Sequence, residues 1–194
     1  MTMDVLLVLA AYLLGSLSFG QIAGRIKGFN LADRDTPGGS GTYRQLGAVW
    51  GVAVVLADVF KGVLVAYLSL FAQAAWAMPL MGAAVVAGHN WPVYFGFRGG
   101  GGIAPTLGFF GFLYPGIALV AVAIGLSLAG VYWLVFWRNH PKNWYPLPVG
   151  AAFGYLYALV AFWPTGAGFW AFLLVSLMVL LRGLNIAQRK RLNP

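Results

Sequence analysis

Residues 103–115 read IAPTLGFFGFLYP, an apolar stretch closed by a proline, and whether it counts as a membrane crossing decides the fold. At 1.5 Å per residue a dozen helical residues reach about 18 Å, short of the roughly 30 Å of hydrocarbon in a bilayer. Six longer apolar stretches surround it, near residues 3–23, 48–71, 76–97, 116–137, 147–164 and 167–182. Counting 103–114 as a seventh crossing puts Arg25, Lys27, Arg34, Arg44, Arg98, Arg138, Lys142, Arg182, Arg189, Lys190 and Arg191 on one side, eleven of the twelve basic residues. With six crossings the loops after Tyr114 change sides and the basic residues split between the two faces. Basic loops stay in the cytoplasm. The charge pattern therefore predicts an all-α, polytopic integral membrane protein with seven transmembrane helices, N-terminus out and C-terminus in, as a single helical domain over residues 1–194.

Composition supports a bilayer as the solvent. Of 194 residues 61% are hydrophobic and 8% are charged, against about 25% charged in a soluble domain. Mean hydropathy is +0.81. The first stretch opens with Asp4 instead of a basic segment, so it reads as a retained span and not a cleaved signal. The net charge of +8 is scattered over short loops, which fits membrane topology and argues against nucleic acid.

The same composition removes whole classes of chemistry. There is no Cys and no Glu, and only four Asp and two His, so disulfides and thiolate zinc sites are impossible. Asp4, Asp33, Asp35 and Asp58 lie in three separate parts of the chain, which disfavours a catalytic carboxylate pair. Neither His has an Asp at ligand spacing, so no metal and no cofactor is expected. Cations, backbone amides and a His remain.

These concentrate in the segments assigned to the cytoplasmic face: 24–47, 98–102, 138–146 and 183–194. The connections at 72–75, 115 and 164–166 carry no charge. Residues 24–47, GRIKGFNLADRDTPGGSGTYRQLG, hold four basic residues around a Pro-Gly-Gly-Ser-Gly core that resists helix formation, so a loop is expected. Its glycine amides beside Arg34 and Arg44 could wrap an anion, or it is an ordinary positive-inside loop. Asp58 and Lys61, three residues apart on one helix face, suit an ion pair inside a span. Residues 89–102, HNWPVYFGFRGGGG, place His89 and Arg98 ahead of four consecutive glycines and the short stretch that begins at Ile103. Gly99, Gly100, Gly101 and Gly102 bring a flexible backbone to a helix N-terminus, whose free amides suit phosphate. The plain alternative is a hinge between helices. His140, between Arg138 and Lys142, reads as interfacial, and the basic cluster 189–191 as a contact for anionic lipid heads.

In order along the chain, AYLLGSLSFG at 11–20, Lys27-Gly28, Arg44-Gln45-Leu46-Gly47, Asp58-x-x-Lys61-Gly62 and Gly88-His89-x-x-Pro92-Val93-x-x-Gly96-Phe97 resemble the bacterial acyl-phosphate:glycerol-3-phosphate acyltransferase family of PlsY type. The resemblance implies seven spans and a multi-pass protein of the bacterial cytoplasmic (inner) membrane. It further implies transfer of a fatty acyl group from acyl phosphate to glycerol 3-phosphate, giving lysophosphatidic acid for phospholipid biosynthesis. Substrates and membrane lipids are then the partners. Carried over, Arg44, Lys61, Arg98 and Gly99 to Gly102 bind phosphate, and Ser40, His89 and Asn185 position polar groups in catalysis.

Departures from the family's pattern motivate a second reading. The first loop is a little shorter and keeps Gly38, Ser40 and Arg44 but lacks an earlier Ser and two Asn. The glycine loop has Gly101 where the family has Lys, and Pro105 where it has Thr. In the tail, Arg182, Gly183, Leu184, Asn185 and Ile186 retain only the Asn and Ile of the family's His-Arg-x-Asn-Ile. The second reading is a degenerate relative, weakly active or inactive, that binds lipid phosphate or a membrane partner. A channel or transporter ranks last, since Asp58 and Lys61 are the only intramembrane charged residues read from the sequence. The topology is checked by C-terminal reporter fusions: a fluorescent-protein fusion should fluoresce and an alkaline-phosphatase fusion should be inactive.

Overall fold

The structure is a computed structural model that describes residues 2–140 and 145–192. Lys142 of the predicted basic face lies outside the described residues, as do the side chains of Arg189, Lys190 and Arg191. The described residues form helices and no strand. In chain order the helices are α1 (Thr2–Gly15), α2 (Phe19–Ile26), α3 (Leu31–Arg34), α4 (Gly39–Leu46), α5 (Ala48–Ser69), α6 (Ala77–Asn90), α7 (Ile103–Leu113), α8 (Pro115–Tyr132), α9 (Pro146–Phe162) and α10 (Ala167–Leu192).

Among the described residues five helical segments are long and apolar enough to cross a bilayer: Thr2–Ile26, Ala48–Ser69, Pro115–Trp137, Pro146–Thr165 and Ala167–Gln188. The expected span at 76–97 is instead a 14-residue helix. Pro92 excludes the residue before it from helical geometry, and Trp91 accordingly sits at φ −130°, ψ 70°. Helix α7, at 11 residues, is as short as its sequence foretells. The first span is interrupted at residues 16–18, between α1 and α2. Segment 24–47 was expected to be a loop. It contains the end of α2 and all of α3 and α4: Gly28 and Pro37-Gly38 fall between these short helices, Asn30 caps α3 by accepting the Ala32 N–H at 3.1 Å, and Gly39 and Gly41 are carried inside α4. The polar tail is not a separate segment, since α10 runs on to Leu192.

Lipid tails give no hydrophobic drive for helices to associate, so close approach and dispersion do the work. Several helix pairs meet through glycines contributed by both partners, among them α1 with α6, α5 with α7 and α8 with α9. A Cβ on Gly15 of α1 would lie 2.3 Å from Val85 O of α6, and one on Gly88 of α6 would lie 2.2 Å from Tyr12 O. Gly62 of α5 and Gly108 of α7 stand in the same relation to Pro105 O and Val59 O, and Gly150 of α9 to Gly125 O of α8. Between these crossings lies an aromatic knot in which Phe110 packs against Phe109, Phe162 and Phe172 at centroid distances of 5.0 to 5.2 Å. At the end of the bundle where α1 begins, Asp4 is buried and accepts the backbone N–H groups of Gln73 and Ala74 at 2.8 and 3.4 Å.

The α5/α7 crossing sets where the glycine loop sits, because α7 begins directly after it. Gly62→Val would drive a side chain into the α7 backbone, and overpacking of this kind costs about 1–3 kcal/mol. The expected result is a melting temperature several degrees lower in detergent, measured by thermal unfolding.

Candidate active site

The site is organised around the interruption in the first span. Helix termini expose carbonyls that the helix cannot satisfy, and at membrane depth these need a protein donor. Lys61 supplies it: Nζ donates to Gly15 O and to Leu17 O, both at 2.9 Å. The same ammonium lies 2.9 Å from Asp58 Oδ1 and 3.0 Å from His89 Nδ1. The expected Asp58–Lys61 pair is present, and all three side chains are no more than 3% exposed. His89 was read as remote from any Asp. Its Nδ1 is 3.3 Å from Asp58 Oδ1, because α5 and α6 pack side by side and bring together residues far apart in sequence. Among the described residues no group of three or more His, Cys, Asp or Glu side chains is clustered to hold a metal.

From α6 the chain returns through a tight turn in which Gly96 and Phe97 both take left-handed φ, 57° and 60°. Gln21 Nε2 donates to Arg98 O at 3.0 Å and Tyr12 Oη to Trp91 O at 2.8 Å, tying the turn to the first span. Gly99 N–H then bonds Asn90 O at 3.2 Å and Gly100 N–H bonds His89 O at 3.0 Å. The glycines are required here. A Cβ on Gly99 would lie 2.0 Å from His89 O, and one on Gly100 would lie 2.2 Å from His89 Nε2. His89 therefore underlies the loop. Gly101 is the opposite case, with nothing within 4 Å of a Cβ. Gly102, at φ 88°, caps α7. Thr106, one residue after Pro105, turns its hydroxyl back onto Gly102 O at 2.7 Å.

Helix α4 meets this loop from the other side. Gly38 is its N-cap, and a Cβ there would come within 3.8 Å of the Gly100 Cα. The N-terminus of α4 thus borders the glycine loop that leads into α7, with Ser40 exposed in the first turn of α4. Arg44, one turn further along α4, makes a bidentate pair with Asp35 at 2.7 and 2.8 Å and lies over the Tyr145 ring at 4.9 Å. Its hydrogen bonds to the Asp35 carboxylate raise the pKa of that guanidinium. Arg98 pairs with Asp33 at 2.6 Å and donates to Ala32 O at 2.7 Å. Both arginines converge on the α3–α4 segment, each holding a carboxylate. Asn185 is exposed on α10, one turn beyond Arg182.

Two buried participants escaped the sequence reading. Arg182 is 3% exposed and hydrogen-bonds the carbonyls of Gly99 and Gly100. Asn90 is fully buried, donating through Nδ2 to Met178 O at 3.2 Å, while its Oδ1 lies near Gly102 without a partner. Neither carries a local signal, since both act across α6 and α10. The intramembrane polar set is accordingly larger than Asp58 and Lys61.

A family model described as glycerol-3-phosphate acyltransferase matches residues 5–191. The chain belongs to the glycerol-3-phosphate acyltransferase family. Glycerol-3-phosphate acyltransferase 2 of Deinococcus radiodurans is 48% identical over 126 residues, covering 63% of this chain and 64% of that protein. The glycerol-3-phosphate acyltransferase of Aquifex aeolicus is 32% identical over 177 residues, covering 89% and 88%. Among solved structures, PlsY, an integral membrane glycerol 3-phosphate acyltransferase, in its glycerol 3-phosphate form superposes with a TM-score of 0.80 at 26% identity, covering 96% of this chain and 90% of that one. Its lysophosphatidic acid form gives a TM-score of 0.77.

Within this family member the Lys61 cluster is open to a direct test. Lys61→Met leaves Asp58 buried without its cation, which costs about 3–5 kcal/mol. Adding Asp58→Asn should recover only part of that loss, because Gly15 O and Leu17 O still lack a donor. Thermal unfolding of the two single variants and the double variant measures the difference.

Proposed function

We propose that this chain is a membrane acyltransferase that moves a fatty acyl group from acyl phosphate to glycerol 3-phosphate, releasing inorganic phosphate and forming lysophosphatidic acid. The observation that carries the reading is the approach of the α4 N-cap, Gly38, to Gly100 in the glycine loop that leads into the N-terminus of α7. Helix N-termini present free amides and a positive dipole end to anions, and the two substrates bring two phosphates. In the transfer, the glycerol hydroxyl oxygen forms an ester bond to the acyl carbonyl carbon. The bond from that carbon to the phosphate oxygen breaks, and the hydroxyl proton leaves with the phosphate. A mixed anhydride already carries a good leaving group, so positioning and charge stabilisation suffice.

In this reading Arg44, Arg98 and the amides at Gly101 and Gly102 bind phosphate, Lys61 and His89 fix the floor beneath the loop, and Ser40 and Asn185 contact the ligands from exposed positions. The chain forms one transmembrane domain with seven crossings, α6 and α7 being short ones shielded by longer neighbours. The N-terminus is outside and the C-terminus lies in the cytoplasm of a bacterium whose inner membrane holds the protein.

A second reading, phosphate binding without transfer, draws on the missing side chain at Gly101 and on the carboxylates already held by Arg44 and Arg98. Purified protein incubated with acyl phosphate and glycerol 3-phosphate separates the two. Lysophosphatidic acid above background is expected; no product while phosphate still binds would favour the second reading. Removing one charge-assisted phosphate contact with Arg44→Ala or Arg98→Ala should lower kcat/KM by about 10- to 100-fold.

A further inference from the structure

Arg182 sits on a helix that is otherwise apolar through this stretch, and it is buried against the glycine loop. Its Nε donates to Gly100 O at 2.9 Å and its Nη2 donates to Gly99 O. One guanidinium thus forks over two successive carbonyls in a segment outside any helix. Peptide geometry extends the effect. In a planar trans peptide the C=O and the following N–H point in opposite directions, so turning the Gly99 and Gly100 carbonyls toward α10 turns the N–H groups of Gly100 and Gly101 away from it. The first of these is taken by His89 O at 3.0 Å. The second has no acceptor among the described residues, and it belongs to the one loop glycine with open space beside it.

Hydrogen bonds from an ionised donor are stronger than neutral ones, and bonded peptides polarise one another, so a cation on the carbonyl makes the N–H a better donor. A buried cation is costly to place in a membrane protein and marks function more often than packing.

We infer that Arg182 is a positioning residue for anion binding: it holds the glycine loop from behind through the Gly99 and Gly100 carbonyls, presents the Gly101 amide and the start of α7 to a phosphate, and brings positive charge to a loop whose own open position has no side chain. This rests on the proposal that the loop binds phosphate.

The test uses the full chain in lipid nanodiscs and equilibrium dialysis with labelled inorganic phosphate, which needs no turnover. Arg182→Gln should weaken phosphate binding about tenfold or more, as the loss of a charge-assisted contribution does. Adding Gly101→Lys should restore binding to within about threefold of the parent chain, as expected when a similar charge is returned, whereas Gly101→Leu in the same background should not. A lysine starting on the open side of the loop cannot replace the clamp on the carbonyls, so rescue reports charge and not fold. Unaltered binding in Arg182→Gln overturns the inference. So does failure of Gly101→Lys to rescue a variant that melts as the parent does. Should Arg182→Gln not fold, two other variants decide. Arg182→Lys should bind phosphate more weakly than the parent but measurably, and Gly101→Lys alone should bind it more tightly; parental affinity in both overturns the inference. Phosphate binding that depends on Arg182 without any lysophosphatidic acid would overturn acyl transfer and leave this inference standing. Product formed by Arg182→Gln with parental kcat and KM would do the reverse.

Discussion

The ammonium of Lys61 is the point on which the assembly depends. A membrane helix can be interrupted only where something satisfies the carbonyls that the break releases, and Lys61 meets two of them while pairing with Asp58 and touching His89. One side chain therefore joins the broken first span, α5 and α6. The desolvation of a buried ion pair commonly exceeds its Coulombic gain, so the pair is poor evidence for stability by itself. Its value lies in geometry. With the break fixed, Tyr12 and Gln21 on either side of it reach Trp91 O and Arg98 O, and the glycine loop is held in one place.

Charge at the site follows a pattern of buried cations behind and more exposed, carboxylate-paired arginines in front. Lys61 and Arg182 lie beneath the loop, whereas Arg44 and Arg98 lie at its edge with Asp35 and Asp33. Exposed pairs of this kind contribute about 0–1 kcal/mol, so they hold the α3–α4 segment near the loop without fixing it. The N-termini of α4 and α7 add partial positive charge that no titration removes.

Much of the fold was legible because hydropathy and charge are local signals. The long helices at 48–69, 115–137 and 146–162 fall close to the apolar stretches that foretell them, and Asp58 with Lys61 followed from their spacing on a helix. Other features had no local trace. The interruption at 16–18 involves Ser-Leu-Ser, which need not break a helix, and is explained only by a lysine more than forty residues away. Helices α3 and α4 were obscured by Pro37 and Gly38 between them and by Gly39 and Gly41 inside α4, which is helical despite its glycines because it packs on α5. Arg182 was visible as a residue near the end of a span, but its partners lie 82 and 83 residues earlier. His89 was noticed in isolation because its neighbour Asp58 is brought to it by packing.

The broken first span also bears on how the protein is made. Gly15 and Leu17 leave the ribosome 46 and 44 residues ahead of Lys61, so this segment emerges before its donor does. A continuous helix over Thr2–Ile26 is long and apolar enough to insert by itself, and in that form its interior carbonyls bond within the helix. The kink is therefore a property of the assembled bundle, acquired when the following hairpin docks, and not of the nascent chain.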